Sequence, residues 1–449
     1  MKSERFNIVR KYLNRGIGIL VAFLIFAEIS TVLNYMYVAR NSDWERNLWH
    51  YFYENNGKID NLYLGSSHVY SGINAAMLDD LNGEFNFNLA SARQRPISSY
   101  FLLKEADRTN SLSHVYLELF YWCSTNDDFD LSSETIFYND NWKNIDYMKF
   151  SYNKFEYILH ISETEKYIDT LFPFTRYRSY LGDWDYMKQT MESKRELDYL
   201  TYGKSPEGGY KGYKQGYAYS LDNFEDEDRM VEQFGILEKN PVGKVSEKYI
   251  RKIIDYCKDK DIDITLFCTP MDELQLISAE DYDNYINQMK GIAEEYDVEF
   301  YDFNLAKEEY LPIHDREHFR NADHLNTAGG DLFTLFFHEI VSGNPSENEK
   351  FFYDSYEEKL QAISPQLYGI YWRDSIDTEE TRTFYVASNR EEGMEYRIIL
   401  SPDDKERIII QDFMENKEFS RPKDEHGICT VVARMKDVPN DILTLEVNY

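Results

Sequence analysis

The run Gly16–Val38, GIGILVAFLIFAEISTVLNYMYV, constrains this chain more than any other segment, because it is apolar throughout except for Glu28. As a helix it would reach about 34 Å, enough to cross a bilayer with some tilt. Lys2, Arg5, Arg10, Lys11 and Arg15 precede it, against Glu4 alone. Such a basic flank stays on the cytoplasmic side, so everything after Arg40 is expected outside, with the anchor uncleaved. A cleaved signal peptide is the rival reading. Its apolar region is usually shorter and ends in a small-x-small site, which NYMYVAR does not offer. A buried core helix fits poorly with the basic flank. Glu28 is costly in a lipid-facing helix, so it reads either as a tolerated glutamate or as a contact with a partner membrane protein.

The remainder is strongly acidic. Across 449 residues, 80 Asp and Glu outweigh 49 Lys and Arg, for a net charge of −31. That balance excludes a protein that wraps nucleic acid, which needs a basic surface, and one that docks broadly on anionic lipid. Cys123, Cys257, Cys268 and Cys429 form no CxxC pair, so neither a zinc knuckle nor a disulfide scaffold is indicated. No HExxH, GxGxxG or GxxxxGK[ST] pattern is present, and no metal or cofactor is expected.

Three regions follow residues 1–41, the basic tail and anchor. Residues 42–345 read as an α/β domain. KIDNLYLGSS, EFNFNLA and SHVYLELFYW are strand-like, with INAAMLDDLN and ISSYFLLKEADR as helices between them. This βαβαβ order implies a parallel sheet with helices on both faces. Between about 128 and 240 the rhythm gives way to an insertion rich in Tyr, Trp, Asp and Lys. It then resumes with the helix SEKYIRKIIDYCKDK, the strand DIDITLFCTP, the helix DYDNYINQMKGIAEEYD, the strand VEFYDFN and the closing helix LNTAGGDLFTLFFHEIV. Residues 350–449 hold six short strand candidates and read as a small antiparallel sandwich. In ILTLEVNY the apolar residues alternate with polar ones, the period of a half-buried strand.

Two segments carry chemistry. LGSSHVYSGI, residues 64–73, takes a buried strand through Gly-Ser-Ser into a helix. A serine there projects from the C-terminal edge of the sheet, where open α/β folds bind ligands, and its own N–H can hold an oxyanion. Ser67 is the nucleophile candidate, with Ser66 tightening the turn; ordinary helix capping is the alternative. In FRNADHLNTAGGDLF, residues 319–333, His324 sits in a polar loop before the last helix. A nucleophilic serine needs such a base, and the base needs an orienting acceptor.

Together these segments resemble the SGNH (GDSL-like) hydrolase superfamily, over about 60–125 and 240–342. The resemblance is closest to its envelope-anchored branch, which includes the teichoic-acid D-alanyl transfer protein and the alginate O-acetylation proteins. GSSH at 65–68, NADHLNTAGG at 321–330 and FNLASARQRPISSYFLLKEA at 87–106 carry it. The resemblance implies a flavodoxin-like three-layer fold and a membrane-anchored serine acyltransferase or esterase. It would act on acyl groups, above all O-acetyl, of a cell-envelope polysaccharide or teichoic-type polymer. The implied partner is a multi-pass membrane acyltransferase, with Glu28 as a contact. The alternative is a non-catalytic glycan-binding or scaffold protein of the envelope.

The sequence also departs from the family pattern. Asn321 stands where the family has an aspartate three residues before the histidine, so the orienting acceptor is Asn321 or Asp323. The second-block glycine falls near Ala90 or Ser91, leaving the Ser91 N–H as an oxyanion donor beside that of Ser67. The GxND block has an echo in STND, residues 124–127, which makes Asn126 a side-chain donor. Glu118, within the third strand, is another residue that can face the site. His68 reads as a packed neighbour or a participant. Tyr210, Tyr213, Tyr217 and Tyr219, interleaved with Gly and Lys, together with Trp184 and Trp372, are candidates for stacking on sugar faces, against the usual fate of packed aromatics.

Overall fold

The computed structural model describes residues 2–38, 43–125, 136–162, 166–196, 214–223, 241–277, 279, 281–313, 316–321, 324–362, 367, 369–378, 380–388, 393–403 and 406–449. The chain divides into two compact units. One comprises Met1–Glu54 and Asp130–Gly208, the other Asn55–Phe129 and Gly209–Tyr449.

The first unit is helical. Lys2–Tyr37 is one helix, and Tyr12–Tyr37 is long and apolar enough to cross a membrane. Only 6% of its most apolar window is buried, unlike a core helix. Glu28 is exposed on it. The sequence reading placed the insertion within the α/β domain. Instead, its helices Ile136–Tyr147, Tyr152–Ile161 and Trp184–Glu196 fold with this apolar helix and with Asp43–Glu54. The contacts are specific. Carbonyls in the last turn of a helix keep lone pairs for a side-chain donor, even where, as at Asn34 O, a backbone N–H (Val38, 3.1 Å) is also bound. Here the buried Lys194 ammonium donates to Asn34 O at 3.0 Å and Tyr35 O at 2.8 Å. Phe174 N donates to Asn34 Oδ1 at 2.9 Å.

The second unit holds a five-stranded parallel sheet: β1 (Asn61–Leu64), β2 (Asn86–Asn88), β3 (His114–Glu118), β4 (Asp263–Cys268) and β5 (Glu299–Asp302). The order is β2-β1-β3-β4-β5. Right-handed crossovers that run in opposite directions along the sheet, β1 to β2 one way and β2 to β3 the other, lie on opposite faces. Accordingly, Pro96–Asp107 packs on Lys244–Asp259, while the closing helix Thr327–Ser342 packs on Ser67–Gly72 and Ala75–Asn82. The chain reverses direction at β1 and β3, the place where a doubly wound sheet opens a crevice. A hairpin not foreseen from sequence, β6 (Phe319–Asn321) with β7 (His324–Leu325), precedes the closing helix.

The C-terminal strands form two sheets. β8 (Ile370–Asp377), β9 (Thr381–Ser388) and β12 (Glu418–Pro422) make one. β10 (Met394–Pro402), β11 (Ile408–Met414), β13 (Gly427–Met435) and β14 (Ile442–Asn448) make the other. β12 is a seventh strand that the sequence reading missed; its polar EFSRP has no apolar alternation to mark it. The two sheets share a core of Trp372, Phe384, Tyr396, Val431, Leu445 and Val447. Tyr371 and Ala387 instead join the α/β core beside Tyr301, Phe303 and Phe337. All four cysteines are buried free thiols.

Candidate active site

β1 ends at Leu64, and Gly65 admits the sharp turn because of what lies beside it. A Cβ there would sit 2.5 Å from the Cβ of Glu118 and 2.6 Å from its Oε2. The Glu118 carboxylate, at the end of β3, accepts the Ser66 N–H at 2.6 Å. Ser66 caps the following helix, its hydroxyl accepting from His68 N at 3.2 Å. At the other end of that short helix, Asn88 of β2 donates its amide to Val69 O at 2.9 Å and Ile73 O at 3.2 Å. Both neighbouring strands therefore hold the turn that carries Ser67.

The histidine loop is fixed from the opposite side. Asn326 caps the closing helix by accepting from Gly329 N at 3.1 Å, and its amide donates to Glu317 O at 2.6 Å and Asp222 O at 3.2 Å. A Cβ on Gly329 would lie 2.2 Å from His318 O, and one on Gly330 would lie 2.6 Å from Ser71 O. The glycines thus let the loop and the nucleophile helix approach the start of the closing helix. Ser220 and Thr327 add a reciprocal pair, Ser220 N to Thr327 Oγ1 at 2.9 Å and Thr327 N to Ser220 O at 2.8 Å.

This scaffold brings His324 Nε2 to 2.8 Å from Ser67 Oγ. Asn321 Oδ1 lies 3.1 Å from His324 Nδ1 and accepts the His324 backbone N–H at 2.8 Å. The second contact settles the proton. A backbone N–H can only donate, so the amide oxygen faces it; the same oxygen faces Nδ1, which must carry the hydrogen. Nε2 is then left with its lone pair toward the serine hydroxyl, the tautomer a general base requires. Asn321 orients the ring but brings no charge to an imidazolium.

Other candidates fall differently. The Ser91 N–H donates to Gly65 O at 3.2 Å and its hydroxyl to Gln94 at 2.9 Å, so its N–H is committed to the fold rather than offered to an oxyanion. The Ser67 N–H is the first of its helix and has no acceptor one turn back in that helix. His68 is 2% exposed, packed edge-on to Phe120 at 4.0 Å, and is a neighbour of the site rather than a substrate contact. Tyr217 is 3% exposed, its hydroxyl 3.3 Å from Asp331; burial raises its phenol, and the ring is packing rather than a sugar platform. Tyr219 is half-buried. Trp372 lies in the sandwich core, tilted against Phe384 with ring centroids 4.7 Å apart, whereas Trp184 is 72% exposed. Asp323, Asn126, Tyr210 and Tyr213 lie outside the described residues.

Glu118 and Asn326 carry more of this geometry than the sequence reading assigned them. A signal for the first exists: Glu118 is the one charged residue in HVYLELF, an otherwise buried strand end.

No protein-family model matches the chain, and no curated protein does. Among solved structures, a match is the crystal structure of a protein from Bacteroides fragilis NCTC 9343 that its description names a candidate acylhydrolase. It is 11% identical, with a TM-score of 0.31, over 66% of this chain and 96% of that one.

Proposed function

We propose that this chain is a membrane-anchored serine acyltransferase or esterase of the SGNH type, with Ser67 as nucleophile and His324 as general base. The observation that carries the reading is the 2.8 Å contact between His324 Nε2 and Ser67 Oγ, on a histidine whose other nitrogen is held by Asn321. The site lies where a doubly wound sheet opens its crevice, which supports the same reading. In the first step Ser67 Oγ attacks the acyl carbonyl as its proton passes to Nε2. The leaving group takes that proton and departs, leaving acyl-Ser67. A hydroxyl of the acceptor, or water, then gives its proton to Nε2 and attacks the acyl carbon, and Nε2 returns that proton to Ser67 Oγ as it leaves.

The acyl group is acetyl and the acceptor a cell-envelope polysaccharide or teichoic-type polymer, a reading that rests on the sequence resemblance. The helix Tyr12–Tyr37 is the anchor, its basic end cytoplasmic, and Glu28 faces a multi-pass acyl-donor partner. One observation favours a second reading, a non-catalytic glycan-binding protein: Asn321 supplies no charge where triads of this kind carry a carboxylate.

The test is to incubate the full chain with p-nitrophenyl acetate and map the adduct by mass spectrometry. Acetyl-Ser67 in wild type, absent in Ser67→Ala and His324→Ala, supports the enzyme. Absence of any adduct, with glycan binding retained in both variants, supports the second reading.

A further inference from the structure

We propose that Glu118 is a positioning residue that also supplies, from beneath the nucleophile turn, the negative field on His324 that the neutral Asn321 cannot. The inference deepens the reading of Ser67 and His324 as nucleophile and base, and rests on it for its catalytic meaning only.

The geometry is a short chain of groups. Glu118 ends β3, its side chain 1% exposed, and one carboxylate oxygen is taken by the Ser66 N–H at 2.6 Å. The other oxygen lies 3.9 Å from His68 Nδ1. That exceeds a hydrogen bond but lies within the range where a charge is felt at low dielectric. The His68 ring stands edge-on to the His324 ring, with centroids 5.2 Å apart and planes at 89°. The carboxylate therefore sits one buried ring away from the base. When the Ser67 proton moves to Nε2, His324 gains a positive charge, and an anion held at that place stabilises it.

Other charged groups lie on the elements packed around His324, among them Glu317 and Asp222, whose backbone carbonyls hold Asn326. Arg320, on the paired strand β6, donates to Ser71 Oγ at 3.2 Å, and His318 stands on the turn before it. Asp331, on the closing helix, binds Asn74 at 2.9 Å and lies 3.3 Å from the Tyr217 hydroxyl. None of them replaces a carboxylate on Nδ1, which Asn321 occupies. Asp323 is adjacent in sequence, so the test controls for it.

The experiment measures the pH dependence of His324 carbethoxylation by diethylpyrocarbonate, read peptide by peptide by mass spectrometry on the full chain in detergent. The reagent attacks neutral imidazole, so the profile gives the His324 pKa without needing turnover. Glu118→Gln keeps the shape and an oxygen for Ser66, and is expected to lower that pKa by on the order of one unit. Gly65→Ala, whose Cβ would displace the carboxylate, should shift it the same way. Asn321→Asp should raise it, showing that the assay registers a charge at this ring. His68→Gln, which leaves the Glu118 carboxylate in place, should change it far less than Glu118→Gln does. The Glu118→Gln shift should persist in an Asp323→Asn background. An unchanged profile in Glu118→Gln, with the Asn321→Asp shift present, overturns the inference. So does a fall in His68→Gln as large as that in Glu118→Gln, which would trace the effect to ring packing. If the pKa responds as expected but no acetyl-Ser67 ever forms, the enzyme reading fails and the electrostatic one stands.

Discussion

His324 Nε2 lies 2.8 Å from Ser67 Oγ, across 257 positions of sequence. The contact exists because two unrelated pieces of backbone engineering converge. Glu118 and Asn88 hold the serine turn from neighbouring strands, and Asn326 with two close-packed glycines holds the histidine loop.

The missing charge beside His324 makes Asn321→Asp the most informative single substitution. Its carboxylate would accept from the same Nδ1 and backbone N–H and add the charge. The acylation rate of Ser67 by p-nitrophenyl acetate at neutral pH is expected to rise by about tenfold or more, since a charged partner is the stronger support for an imidazolium. An unchanged rate would mean that proton transfer to His324 does not limit acylation.

Asn326→Ala removes a helix cap and at the same stroke strips donors from Glu317 O and Asp222 O. Cap loss alone costs about 1–2 kcal/mol, and the loss of two part-buried hydrogen bonds to backbone carbonyls adds to it. Urea denaturation of the variant should show a total loss of about 2–4 kcal/mol. A loss below about 0.5 kcal/mol would show that the loop is not built on this residue.

Acid stability should contain two opposing contributions. Burial lowers the His114 imidazole from 6.5 to about 4. Between those values the unfolded chain holds more protons, so this contribution is full above about 6.5 and is lost as pH falls toward 4. Burial raises the Asp302 carboxyl from 3.8 to about 6. There the folded chain holds more protons, so stability falls as pH rises from 3.8 through 6. Each is worth about 3 kcal/mol. The two should nearly cancel in wild type. In Asp302→Asn, stability should rise by about 3 kcal/mol between pH 4 and 6.5, and in His114→Gln it should fall by about as much between pH 4 and 6. Denaturation midpoints across pH measure both; parallel curves for all three proteins would refute the assignment.

Lys359 is 2% exposed, ion-paired with Glu273 and donating to Asn304 O at 2.9 Å, while Glu273 also accepts the Tyr356 hydroxyl at 2.8 Å. Removing one member leaves a buried charge without its partner. Lys359→Ala should cost about 3–5 kcal/mol, and the double variant Lys359→Met with Glu273→Leu should recover much of it. Thermal denaturation of the pair checks this. A single variant as stable as wild type would show that the pair carries no such cost.

The apolar helix is docked by Lys194, whose ammonium burial lowers to about 8. Below that value the group is charged and fully donating to Asn34 O and Tyr35 O. Lys194→Ala should expose the segment near Tyr35 to proteolysis in detergent micelles. An unchanged cleavage pattern would mean that the remaining contacts, such as Phe174 N to Asn34 Oδ1, are sufficient.

Local pattern alone determined much of this protein. The apolar run after a basic tail is a helix by composition and length. The β-strand and helix segments around Leu64, Phe101, Ile253, Leu266 and Phe337 follow from periodicity, because burial of one face is written into consecutive residues. The serine turn and the histidine loop were each legible as short motifs. Tertiary structure alone decided how those pieces are used. The insertion reads as aromatic and polar, yet its helices pack with the apolar N-terminal helix, because backbone carbonyls at a helix end accept a distant lysine that no spacing rule connects to them. Ser91 and Tyr217 have the right chemistry in sequence, but a carbonyl from Gly65 and a helix start at Thr327 already claim their polar atoms. Glu118 stands out in sequence as the one acid of a buried strand end, but only the register of β3 beside β1 places it under the nucleophile. Hydrogen bonds between residues far apart in the chain are directional and short-ranged, so they depend on the packed fold and leave almost no trace in the order of amino acids.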